Sequence, residues 1–443
     1  MTSTTGTLPI YEQPAELLRN LLRFDTTNPP GNERECILYL DGLLRDAGID
    51  TEIAGRDDNR PNLIARLERR GNAPGLLLQG HVDVVNTEGQ NWTHPPFSAD
   101  IADGHIWGRG ALDMKGAVAM MVAAVLRAKA EGLEPAGDIV FAALADEERG
   151  GDYGAKYLVE NHPHLFNGLR YAIGEAGGES LPLGGRVFYP IQVTEKQTCR
   201  LKVTLTGPGG HGSVPLRGGA MAKLGRLLTT LDSQRLPVHI TPVVNRMLGE
   251  MSAALPEPLK GVVGALLDPT TTDSALDGMG ELGRILNPML HNTVSPTIVH
   301  GGTEINVIPS ELTLMLDGRI LPGYTPDDML AELHSLLGTD LRIEIIRYDS
   351  YPPEPDMALY ETLAGILREM DPEGIPVPTM LSGVTDGRHF ARLGIQPYGF
   401  TPMKLPNALE LHPTVHAADE RVPLGAVEFG AEAMYRLLQR YGR

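Results

Sequence analysis

Five residues of metal-ligand type recur along the chain in compact local settings. They are His81 in HVD, Asp113 in GRGALDMKG, Glu148 in DEE, Glu175 in GEAGG and His416 in VHAADERV. Imidazole nitrogen and carboxylate oxygen together suit zinc, and the same set tolerates cobalt or manganese. Two histidines and three carboxylates can hold two ions if one carboxylate bridges them. Ions about 3.5–4 Å apart in this way serve metal-assisted hydrolysis.

Each setting has a chemical reading and a plainer one. Asp83 stands two residues after His81, so on a strand both side chains share a face. Its carboxylate could then take the ring proton and fix the tautomer; alone, though, a strand histidine is more often structural. Gly108, Gly110 and Gly116 flank Asp113, which could bridge two cations or merely cap the following helix. Adjacent carboxylates at the end of a buried strand repel each other and resist burial. A metal on Glu148 removes that cost and leaves Glu147 free as general base; the plain alternative is an acidic loop. Glu175 follows apolar Tyr171–Ile173 and precedes Gly177–Gly178, which suits a ligand at a strand end or a turn. Of His389, His412 and His416, only His416 sits in an H-A-A-D-E pattern.

The elements that must position these groups are legible as a change of grammar. Asn62–Leu67, Leu76–Val85 and Asp138–Ala145 are near-continuous apolar runs, as expected of buried parallel strands. The Ala- and Met-rich Gly116–Glu131 between them predicts a helix. This βαβ pattern implies an open α/β sheet, in which ligands bind beyond the carboxyl ends of the strands. His81, Asp83 and Asp146–Glu148 all fall at such ends. From about Cys199 the strands alternate instead: Arg200–Thr206, Glu311–Leu316 and Leu341–Tyr348, a one-sided antiparallel sheet. Helical patterns at Ala220–Leu231 and Pro326–Leu337, with a strand near Thr293–Val299, give β-α-β-β-α-β, a ferredoxin-like unit. The stretch Arg235–Asn292 is surplus to that unit and reads as a helical insertion. A Pro-rich link (YPPEP) leads back to the first domain, and Ala426–Tyr441 reads as a terminal helix. The expected division is 1–195 and 349–443 for a catalytic α/β domain and 196–348 for an inserted one.

Bulk properties narrow the partners. The chain has 443 residues, a formal net charge of −18 and 42% apolar residues. That size favours two domains. The charge argues against nucleic acid and against an anionic membrane surface. No apolar run of membrane-spanning length occurs, and Met1–Pro14 has no signal-peptide pattern. Only Cys36 and Cys199 are present, so reduced packed thiols and a cytoplasmic location are expected.

Taken in order, His-x-Asp, Gly-rich Asp, Asp-Glu-Glu, Glu and a distant His form a specific series. With WTHPPF (Trp92–Phe97), GPGGHGSVP (Gly207–Pro215), GGTEINVIPS (Gly301–Ser310) and DGRILPG (Asp317–Gly323), the chain from about Leu17 onward resembles the co-catalytic zinc amidohydrolase family of aminoacylases, acetylornithine deacetylases, succinyl-diaminopimelate desuccinylases and glutamate carboxypeptidases. The resemblance implies a zinc-peptidase α/β domain with an inserted ferredoxin-like lid that dimerises. It implies two zinc ions, bridged by Asp113, with His81 and Glu175 on one and Glu148 and His416 on the other. Asp83 would orient His81, and Glu147 would be the base. His211 would cross from the partner subunit to stabilise an oxyanion. Asn306, Arg319 and Arg388 would meet the substrate, the arginines by forking onto its carboxylate; either could instead be a structural ion pair. The lid is longer than in compact members by Arg235–Asn292.

The expected activity is hydrolysis of an amide next to a carboxylate in a small peptide or N-acyl amino acid, as a broad carboxypeptidase or dipeptidase. An N-acyl-amino-acid deacylase is the alternative within the same chemistry. A non-catalytic dimeric binding protein on the same scaffold is the alternative of another class; it predicts lost ligands or a replaced base, and none is lost.

Overall fold

The computed structural model describes residues 8–406 and 408–443; the start of the N-terminal stretch read for export lies outside them. The described residues form two compact units. One comprises those of Met1–Val193, Asp356–Thr379 and Thr385–Arg443, the other Thr194–Pro355 and Met380–Val384.

The first unit is built on a large mixed sheet. Its strand order is Asp50–Ala54, Asn62–Leu67, Ile139–Leu144, Gly75–His81, Leu169–Gly174, Gln396–Gly399, Arg186–Glu195 and Gly374–Leu381. Ile139–Leu144, Gly75–His81, Leu169–Gly174 and Gln396–Gly399 run parallel. Every residue of Gly75–His81 and Ile139–Leu144 is buried, which explains why both read as unbroken apolar runs. The apolar run Asn62–Leu67 differs from expectation. It is also buried, yet it runs antiparallel to Ile139–Leu144 and forms a hairpin with Asp50–Ala54. A strand covered on both faces looks alike in either direction, and only the short connection to Asp50–Ala54 decides it.

Helix Lys115–Ala130 is buried along almost its whole length and packs on the C-terminal helix Leu424–Arg440 and on Pro14–Leu22. Gly430 makes the close helix approach possible. A Cβ there would stand 2.2 Å from Met120 Sδ, well inside contact distance. No described helix is long and apolar enough to cross a membrane.

The second unit has a four-stranded antiparallel sheet in the order Thr293–His300, Glu311–Ile320, Gln197–Thr206, Arg342–Asp349. With helices Ala220–Ser233 and Pro326–Leu337 this is the expected β-α-β-β-α-β unit. Leu201, Val203, Leu205, Leu312, Leu314 and Leu316 point into one core with Leu224, Leu227, Met329 and Leu333. Pro326–Leu337 starts with a capping box between Thr325 and Asp328. The long insertion is helical, with segments Pro242–Ala254, Leu259–Gly264, Thr272–Gly278 and Glu281–Leu290. The buried Lys196 ammonium ties its end down, donating to Pro288 O, His291 O and Thr293 Oγ1 at 2.8–3.0 Å.

Candidate metal centre

The parallel strands deliver the site. His81 is the last residue of its strand and pairs with Leu144, so Asp146–Glu148 follow at the same sheet edge. Glu175 follows directly on Leu169–Gly174. Strand order thus brings segments far apart in sequence to one carboxyl edge.

His81 is only 1% exposed, and its two nitrogens face different groups. Nδ1 lies 2.9 Å from the backbone oxygen of Asp83 and 3.5 Å from its carboxylate. The closer partner of Nδ1 is therefore the carbonyl, while Nε2 is turned to Asp113 Oδ1 at 3.1 Å and Glu175 Oε2 at 3.4 Å. Burial lowers the pKa of the ring, but its hydrogen bonds with Asp113, Asp83 and Glu175 outweigh that and hold it well above its ordinary value. The same-face strand argument for Asp83 does not carry over, because the strand ends at His81. Besides facing His81, the Asp83 carboxylate accepts from Asn28 Nδ2 (2.9 Å) and from the backbone amides of Glu147 (3.1 Å) and Glu148 (3.3 Å). It thus anchors the acidic turn.

Asp113 lies on the Gly-rich loop ahead of helix Lys115–Ala130, and that loop is held from the far end of the chain. The buried Glu420 carboxylate accepts from the amides of Gly110 (3.1 Å), Leu112 (2.8 Å) and Asp113 (3.1 Å), and from Arg109 Nη1 (2.5 Å). Asp113 does not cap the helix. Its free carboxylate spans two histidines, with Oδ1 near His81 and Oδ2 3.0 Å from His416 Nε2. His416 Nε2 is also 3.3 Å from Glu148 Oε1.

Two triads result, His81–Asp113–Glu175 and Asp113–Glu148–His416, each with its ligand atoms within 4.8 Å of one another and sharing Asp113. A tetrahedral ion with bonds of about 2.0–2.1 Å has ligand atoms about 3.3 Å apart. The four nitrogen–oxygen separations of 3.0–3.4 Å match such edges. The donors are also chemically right for zinc, cobalt or manganese. The residues present fit two divalent ions.

The electrostatics point the same way. Burial pushes the Glu175 carboxyl up, more than the His81 hydrogen bond lowers it. Burial also pushes Asp113 up, but the hydrogen bonds from His416 and His81 outweigh it and hold the carboxyl below its usual range. Crowded buried carboxylates of this kind call for a cation.

Glu147 is pushed well above the usual carboxylate range by burial, then by the Glu175 charge. Arg388 Nη1 stands 3.9 Å from its Oε1 and donates to Thr385 O at 2.6 Å. The neighbouring Asp386 is pushed up to about 7 by burial, and among the described residues neither of its oxygens has a hydrogen-bond partner.

The other sequence-derived site residues lie in the second unit. His211 and Asn306 meet on a small ribbon, where Gly210–His211 pairs with Val307–Ile308 and Gly212 N donates to Asn306 O at 2.7 Å. His211 Nδ1 lies 2.7 Å from Ser213 Oγ and accepts from the Ser213 amide at 3.2 Å. The Arg319 fork is engaged by both oxygens of Asp317, at 2.8 and 3.2 Å.

Sequence reading missed the supporting groups. Glu420 and Arg109 brace the Asp113 loop. Asn28 bridges Asp83 and Asp146, and Arg60 joins Asp146 to Glu33. Glu420 had a signal, as the last letter of the H-A-A-D-E pattern; Asn28 had none.

Residues 77–440 match the family model described as Peptidase family M20/M25/M40. A probable carboxypeptidase S-like 2 of Dictyostelium discoideum is 28% identical over 384 residues, covering 82% of this chain and 71% of that protein. A succinyl-diaminopimelate desuccinylase of Paracoccus denitrificans is 27% identical over 438 residues, covering 97% and 98%. The fold is also that of an M20-family metallo-carboxypeptidase of Sulfolobus solfataricus, with a TM-score of 0.67, 17% identity and coverage of 97% and 99%.

Proposed function

The chain belongs to peptidase family M20/M25/M40, and from that membership we propose a dinuclear zinc hydrolase that cleaves an amide next to a carboxylate. Metal-dependent amide hydrolysis is the family's chemistry. The observation that carries the finer reading is the pair of triads sharing Asp113. His81, Asp113 and Glu175 would hold one ion, and Asp113, Glu148 and His416 the other. When bound, such ions supply Lewis-acid polarisation of a carbonyl and ready deprotonation of water.

The chain's own residues do the rest. Glu147 accepts the proton of the attacking water on its carboxylate and returns it to the leaving amine nitrogen. Asp83 fixes the backbone of Glu147 and Glu148. The partner's His211 presents its Nε2–H to the developing oxyanion. Arg388, buried beside Glu147, is the better placed arginine for a substrate carboxylate, because Arg319 is already paired with Asp317. Asn306 contributes beside His211.

The homodimer this requires is supported by the edge strand Thr293–His300, which exposes Ile298 and Val299. An unpaired edge with exposed apolar side chains is a natural pairing surface. Free, buried Cys36 and Cys199 support a reducing compartment, the cytoplasm. The substrate proposed is a small peptide, with the chain acting as a carboxypeptidase or dipeptidase of broad range. An N-acyl-amino-acid deacylase is the second reading, supported by the full-length similarity to a desuccinylase.

The test is hydrolysis of a panel of dipeptides and N-acetyl or N-succinyl amino acids by zinc-loaded protein, with chelated controls and re-addition of zinc, cobalt or manganese. Chelator-sensitive turnover is expected, and the preferred class separates peptidase from deacylase. Turnover indifferent to chelation, or none on any member with two ions bound, overturns the proposal.

A further inference from the structure

We propose that Glu52, His162 and His164 form a third divalent-metal site, of zinc type, on the outer edge of the first unit. Their ligand atoms lie within 4.8 Å of one another, and none of the three belongs to the two triads. Two imidazoles and a carboxylate are a borderline-metal donor set, and three protein ligands leave a fourth position for water.

The site is held by rigid parts. His162 closes helix Ala155–Asn161, and Pro163 opens the turn Pro163–Phe166. Proline fixes the backbone between the two histidines. Leu165 and Phe166, next in sequence, are buried in a core with Ala54, Ile64, Leu158 and Val159. That core includes Ala54 of the edge strand Asp50–Ala54, on which Glu52 is exposed. The His162 and His164 ring centres are 6.0 Å apart. The Tyr157 hydroxyl is 3.3 Å from His162 Nε2, an outer contact of the kind that sets which ring nitrogen is free for a metal. Among the described residues no hydrogen bond or ion pair joins Glu52 to either ring, so the three groups stand together without satisfying one another. An ion between them would fasten the sheet's edge strand to the turn that covers its flank, and would stabilise the fold by mass action.

The experiment counts Zn2+ per chain by titrating metal-stripped protein against a chromophoric chelator. It compares the wild type with a His162→Asn/His164→Asn double variant and with Glu52→Gln. The wild type is expected to take up one ion more than the double variant. Glu52→Gln is expected to weaken that ion by more than the roughly 10–100-fold that loss of an outer partner costs. Peptide or acyl-amino-acid hydrolysis stays unchanged in all three. The difference between proteins is the readout, so it is independent of how many ions the active site holds. Equal counts and affinities in wild type and Glu52→Gln, an exposed change that leaves the core untouched, overturn the proposal. So does an equal count in a double variant with wild-type circular dichroism.

Discussion

Replacing Glu420 by alanine should be among the most damaging single changes in the first unit. The carboxylate accepts four hydrogen bonds, from Arg109 Nη1 and the amides of Gly110, Leu112 and Asp113, at 2.5–3.1 Å. Arg109 and Glu420 are 1% and 0% exposed. Breaking a buried pair from one side costs about 3–5 kcal/mol, because the remaining charge is stranded. A backbone amide left dry adds about 1–3 kcal/mol. We expect a loss near 5 kcal/mol, or about 10 °C in Tm at the ~2 °C per kcal/mol of a large domain. Arg109→Met is the informative partner. It leaves the carboxylate with its three backbone donors, and loses the charged hydrogen bond to Glu420, worth about 1.5–3 kcal/mol, together with the Nη2 bonds to Gln90 Oε1 and Ala417 O at 3.0 Å. Glu420→Ala should still do the greater damage, because it alone also releases the backbone amides of Gly110, Leu112 and Asp113. Calorimetry on chelator-treated protein measures both without the contribution of bound metal, and metal counting reports whether the Asp113 loop still binds. Equal losses, the reverse order, or a Glu420→Ala loss under about 1 kcal/mol would refute the idea that the carboxylate, and not the ion pair alone, holds the loop.

Three further outcomes are expected. Glu147→Gln should retain both active-site ions by metal analysis while kcat falls by about 10²–10⁴, the usual value of a general base; wild-type kcat would remove Glu147 from the proton path. His211→Ala should lower kcat by roughly 10²–10³ with Tm unchanged, since the ring is exposed and an oxyanion donor has that worth; an effect on KM alone would point to binding instead. The Glu179 hydrogen bond raises the His412 pKa above its ordinary value. The stabilisation is therefore full below about pH 6.5 and is lost as pH rises through the folded-state value. The urea-midpoint advantage of wild type over His412→Asn, at most about 1 kcal/mol for a half-exposed pair, should shrink from pH 6 to pH 9. An advantage that grows over that range contradicts the pairing.

Much of the architecture was readable because each unit writes its pattern differently. Leu201, Val203 and Leu205 alternate against Lys202 and Thr204, and the structure buries the first set. Helix Pro326–Leu337 was readable to the residue from its helical pattern. Strand direction at Asn62–Leu67 was not, because burial on both faces erases the periodicity that separates parallel from antiparallel. The five metal-type residues were visible as chemically costly groups placed in apolar settings. Their supports were not, since Asn28 meets Asp83 and Asp146 only through tertiary folding. Arg319 stood out in sequence, yet its neighbour two residues back on the same strand face, Asp317, takes its fork.

The order in which the ligands occur along the chain bears on how the protein comes off the ribosome. His81, Asp113, Glu148 and Glu175 emerge early, and the loop bearing Asp113 emerges without the Glu420 carboxylate that braces it. A nascent chain that has not reached His416 holds one triad and two of the three ligands of the other. On the proposed metal centre, the second triad would be complete only once residue 416 has been made, and products ending before it would lack hydrolytic activity.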